Sequence, residues 1–107
     1  MPVESFQRLR RLAPRNAHVL EAQADGLMKL GQSQAALEAW RTLAEGSEVA
    51  SPLWYRAKYE LALCHYQLGN YEQCRKVIAV TSVLHPDLGG PETKARFERL
   101  RAQAEGK

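Results

Sequence analysis

The chain predicts an all-α fold in which antiparallel helix pairs stack side by side. Three observations predict it. First, Gly31 and Gly69 stand 69 − 31 = 38 residues apart among matching neighbours. Leu30 and Leu68 precede them, Ala24 and Ala62 come earlier, and Ala36 and Cys74, then Trp40 and Ile78, follow. Small residues where paired helices cross, with large ones beside them, allow close antiparallel packing. Second, apolar residues on both sides of each glycine recur at spacings of three and four, the signature of a helical face. Third, serine, asparagine, proline and glycine fall between those stretches, where helices start and stop.

The elements follow in order. Residues 2–13 read as a short helix with Val3, Phe6, Leu9 and Ala13 on its apolar side, ended by Pro14, because proline disfavours helix in the residue before it. Asn16 is placed as the N-cap of a helix over 17–30, on which Leu20, Ala24, Leu27 and Leu30 share a face. Gly31 ends that helix, since glycine tolerates the left-handed conformation of many helix termini. The next helix, 33–45, buries Ala36, Trp40 and Leu43, and residues 46–51 form a loop.

Ser51-Pro52 is a start signal, an N-cap followed by proline at the first helical position. The helix over 52–68 carries one stripe at Trp54, Ala57, Leu61, His65 and Leu68 and a second at Tyr55, Tyr59, Leu63 and Tyr66. That arc is wider than a surface helix needs, so the helix is either sandwiched between neighbours or lines a groove. Asn70 caps the helix that follows, with Glu72 suiting its dipole and Gln73 in the capping-box place. Tyr71, Cys74, Ile78 and Thr81 form its inner face. Residues 77–84 are rich in β-branched types, a composition open to misreading as a buried strand. Helical spacing from Tyr71 onward, and the parallel with the upstream copy, favour helix. His85-Pro86 closes it, Gly89-Gly90 is a joint, and Pro91 opens a last helix to about residue 104. Only Phe97, Leu100 and Ala104 make that helix apolar, which suits an element covering the end of a stack.

Charge is uneven. Residues 1–16 hold four arginines against one glutamate, residues 17–91 six basic groups against eight acidic, and residues 92–107 five against three. The net +3 therefore sits at the ends, and no continuous basic stripe of the kind nucleic acid requires is present. The arginine-rich first segment reads as a solvated face, with RNA binding a remote alternative. No apolar run approaches the roughly 18–20 residues of a membrane helix, and no signal-peptide core follows Met1, so a cytoplasmic setting is favoured. Cys64 and Cys74 fall inside helical apolar patterns and read as small hydrophobes, since two cysteines make neither a disulfide framework nor a zinc pattern.

The second unit resembles a tetratricopeptide repeat. Leu61-Ala62, Leu68-Gly69, Tyr71, Cys74 in the small-residue slot, Ile78 and Pro86 carry the resemblance. The first unit is similar but looser, with Ser33 where the family prefers an aromatic. Lys58 and Leu20 stand where it favours tryptophan, and His65 and Leu27 where it favours tyrosine. The 38-residue spacing exceeds the family's usual period of about 34 by roughly one helical turn, placed between residues 46 and 53. The resemblance divides one domain into 1–16, the second half of a preceding repeat; 17–50 and 51–88, two repeats; and 89–107, a capping helix. It implies a short right-handed α-solenoid of about six helices, a fragment of a longer repeat protein.

It also implies a non-catalytic scaffold that binds a peptide segment or partner protein on the concave face. The first helix of each pair lines that face, which here means His18, Glu21, Asp25 and Met28, then Arg56, Tyr59, Leu63 and Tyr66. Leu63 and Tyr66 packing on the last helix, with His18 and Arg56 solvated, is the competing reading. Glu21 and Asp25 would repel a carboxylate, so a segment with apolar anchors and a positive charge fits better than a C-terminal tail. Self-association is the alternative, because Val3, Phe6 and Leu9 would leave an apolar end open to a second copy. Neither a cofactor nor catalysis is expected. Adjacent Cys64 and His65 point about 100° apart on a helix, Glu21 and Asp25 lack the remaining ligands of a metal, and Gly89-Gly90-Pro91 is too short for a phosphate loop.

Overall fold

A computed structural model describes residues 13–107. Five helices and no strand occur among these residues: α1 Pro14–Lys29, α2 Ser33–Gly46, α3 Pro52–Gln67, α4 Tyr71–Leu84 and α5 Pro91–Glu105. The helix predicted over residues 2–13, and with it the apolar end formed by Val3, Phe6 and Leu9, lies outside the described residues.

The bounds of α3 and α4 are those of α1 and α2 moved by 38 residues, with no slip at either end. The corners match as well. Gly31 and Gly69 adopt φ of +75° and +82°. At each, the glycine N–H bonds the carbonyl three residues back (Met28, Tyr66) and the following N–H bonds the one five back (Leu27, His65), all at 2.8–3.0 Å. This closure satisfies helix-end carbonyls and needs a residue at positive φ. The longer connections repeat too, with Ala50 at φ 69° and Leu88 at φ 49°, again 88 − 50 = 38 apart.

Two start signals differ from expectation. Pro14 opens α1, and Ala13, extended at ψ 148°, occupies the N-cap that the sequence assigns to Asn16. The reason is that proline's fixed φ and missing N–H cost nothing in a first turn whose N–H groups have no helical partner. Asn70 does precede α4, but its side chain makes no capping bond. Ser51 behaves as expected, accepting from the Trp54 N–H at 3.2 Å.

Both stripes of α3 are used, on opposite sides. Ala57, Leu61 and Cys64 join Ala24, Ala36, Leu37, Trp40 and Leu43 in one core. Ala62 joins Cys74, Ile78, Leu88, Phe97, Leu100 and Ala104 in a second, with Tyr59, Leu63 and Tyr66 packed against it. α3 is thus sandwiched, with α2 on one flank and α4 and α5 on the other. The β-branched run 77–84 is helical, and Thr81 returns its hydroxyl to the Val77 carbonyl at 2.7 Å. α5 buries Phe97, Leu100 and Ala104. Arg75 pins α5 to α4 by donating to the Ala104 carbonyl at 2.9 Å.

Candidate functional site

On α1, Glu21 and Asp25 are one turn apart and so share a face. α3 brings Arg56 across to both. The guanidinium donates to the Glu21 carboxylate and to Asp25 Oδ1, the latter at 2.6 Å, and lies 5.1 Å from the Trp40 ring centre. Its Nε is 4.0 Å from Glu60, one turn further along α3. Burial works against the charge on Arg56, but its bonds to Asp25 and Glu21 outweigh that and raise its pKa. Glu60 is 8 % exposed. Burial pushes its carboxyl above the ordinary range, and Arg56 and Arg96 only partly offset this.

The remaining predicted residues divide. His18 is exposed near the N-terminal end of α1. Met28 meets Cys64, whose thiol donates to its sulfur at 3.4 Å. Burial, reinforced by Glu60, pushes the Cys64 thiol up to about 12, so it stays protonated at neutral pH and is a poor nucleophile. Tyr59 stands edge-on to Phe97 with ring centres 5.5 Å apart, and the Arg96 guanidinium lies 4.6 Å over its ring. Leu63 and Tyr66 are half-buried against the second core. Tyr66 is edge-on to Tyr71 at 5.3 Å. The structure therefore gathers Glu21, Asp25 and Arg56 into one ion cluster, and places Tyr59 between that cluster and α5.

A groove of about 840 Å³ opens between the N-terminal halves of α3 and α5 and the loop joining α4 to α5. Tyr55, Arg56 and Tyr59 form its α3 wall, and Asp87, Lys94 and Arg96 bound it opposite. Tyr55 is set by Trp54 and His85, whose rings meet it edge-on at 5.1 and 6.0 Å. Gly89, at φ +85°, lets the loop approach: a Cβ there would lie 3.0 Å from the Tyr55 ring. Sequence reasoning missed Glu60, Lys94 and Arg96. Glu60 is a lone carboxylate outside both apolar stripes of its helix, and such a residue reads as solvated. The two cations belong to a helix read only as a cover. The bare Gly89-Gly90 pair facing an aromatic helix was the signal that could have marked the groove.

His65 is also buried, and its Nδ1 has no hydrogen-bond partner. Burial, assisted by Arg41, lowers its pKa below the ordinary 6.5. The folded chain therefore binds this proton less readily than the unfolded chain, and acid favours unfolding. This contribution is intact above pH 6.5 and is lost as pH falls through the depressed folded value. Glu60 acts oppositely: its contribution is complete below its ordinary 4.5 and fades as pH rises through the raised folded value. In urea titrations at stepped pH, His65→Leu is expected to flatten the loss of stability below 6.5. An unchanged slope would place the proton elsewhere.

Among the described residues no helix is long and apolar enough to cross a membrane, and no group of three or more His, Cys, Asp or Glu could hold a metal ion. Comparison with protein-family models, curated proteins and solved structures finds no match to this chain.

Proposed function

We propose that the chain is a non-catalytic, tetratricopeptide-like module that binds a peptide segment or partner protein on the face shared by α1, α3 and α5. The observation that carries this reading is the contact between alternate helices. α1 reaches α3 through Glu21, Asp25 and Met28, and α3 reaches α5 through Tyr59. First helices of successive pairs that touch one another make the continuous inner surface of a short solenoid, and such surfaces serve recognition. The 38-residue register of helices and corners supports the repeat, and the groove beside Tyr55 and Tyr59 supplies concave, partly apolar surface of the kind ligands occupy.

Selection from a random-peptide display library tests it. Enriched peptides should bind the isolated chain, and Tyr59→Ala should weaken them by about tenfold, the loss of one good aromatic contact. Tyr59 is only half-buried, so the variant's melting curve separates lost binding from lost fold. No enrichment, or selected peptides indifferent to Tyr59→Ala, would remove this face as the binding surface.

A further inference from the structure

We infer that the groove between α3 and α5 takes an acidic stretch of a partner polypeptide, its carboxylates against Lys94 and Arg96 and an apolar side chain laid on Tyr55 and Tyr59. This rests on the binding face proposed above and specifies its chemistry.

The sign of the charge comes from what is already occupied. Glu21 and Asp25, which in sequence suggest a basic ligand, are both bonded by Arg56. A ligand's lysine or arginine would have to displace a guanidinium that also lies over the Trp40 ring. The groove itself is bounded by Arg56, Lys94 and Arg96 against a single carboxylate, Asp87. Of those cations Arg56 is engaged, while Lys94 and Arg96 form no ion pair among the described residues. Arg96 is exposed, yet lies 4.6 Å over the Tyr59 ring. Stacking limits its freedom while leaving its N–H fork for a carboxylate, so less entropy is lost on pairing. Tyr55 and Tyr59 supply aromatic wall beside these charges, and large rigid rings near arginine are where binding energy concentrates. Nucleic acid fits less well, because the groove offers only two unengaged cations and is also lined by Asp87, whereas binding along a phosphate backbone needs a longer positive track.

The experiment uses two labelled peptides, acetylated and amidated so that no terminal carboxylate is present. One is glutamate-rich with a central phenylalanine, and the other has lysine at every glutamate. Fluorescence anisotropy with the whole chain at about 50 mM salt, where exposed charges are weakly screened, should show binding of the glutamate peptide alone. Lys94→Glu combined with Arg96→Gln should weaken it at least about tenfold, with added salt weakening the parent complex. Lys76→Glu, the charge reversal of Lys94 made instead at an exposed position on α4 outside the groove, should not. Should the double variant melt early, Lys94→Gln alone at its exposed position gives the same reading. Equal or tighter binding of the lysine peptide, indifference to the Lys94 and Arg96 changes, or tighter binding of a single-stranded oligonucleotide would each overturn the inference. If neither peptide binds while the display selection still yields Tyr59-dependent ligands, the charge assignment fails and the binding face stands.

Discussion

Trp40→Ala should lower the unfolding free energy by about 3–5 kcal/mol. Trp40 is fully buried at the centre of the first core, where α2 meets α3. Its ring also carries Arg56, so truncation removes the surface on which the bridge between α1 and α3 rests. The cost of such a change is the lost transfer energy plus the cavity left behind. A domain of this size has only about 5–15 kcal/mol in total. The variant should therefore approach the unfolding transition near room temperature. Trp40→Phe refines the test. The indole Nε1 has no hydrogen-bond partner although it is buried, so phenylalanine loses volume but also removes an unsatisfied donor. It should cost much less than alanine. Urea denaturation followed by circular dichroism measures both. A loss below about 1 kcal/mol for Trp40→Ala would mean that this core is not close-packed.

The second large effect is expected at Phe97. Its ring is fully buried, meets Tyr59 edge-on, and with Leu100 and Ala104 fastens α5 to the rest. Phe97→Ala should cost about 3–5 kcal/mol by the same reasoning. Its signature should differ, however. α5 is the last described element and, among the described residues, packs chiefly on α3 and α4. Amide hydrogen exchange should show α5 losing protection first, while the first core keeps its own. Uniform loss of protection from α1 to α5 would instead show that the two cores unfold as one.

The frame of the fold was open to reading because its signals are local. Gly31 and Gly69 mark their corners by a backbone property that few other residues share, and the double stripe of α3 predicts a helix buried on two flanks. The charges were hidden for the opposite reason. Arg56 and Glu21 are 35 residues apart, and only the approach of α1 to α3 brings them together. Glu60 lies one turn from Arg56 and looks solvated in any list of charged positions, yet packing buries it. Asn16 was misassigned as the N-cap because its side chain suits that place, whereas proline fits the first helical position just as well and puts the cap at the extended Ala13. The narrow face of α5 made it look like a lid alone, and its remaining faces put Lys94 and Arg96 at the rim of the groove.

Every helix here rests on its immediate neighbours in the chain, with α3 to α5 the one longer step among the principal contacts. Most residues that must meet are therefore close along the backbone, contacts such as Arg56 to Glu21 spanning no more than about one repeat, and little loop-closure entropy opposes their meeting. Folding should be quick, in the microsecond-to-millisecond range of about 10⁻⁶–10⁻³ s typical of local topologies. Either helix pair can assemble first, with α3 as the template on which the other docks.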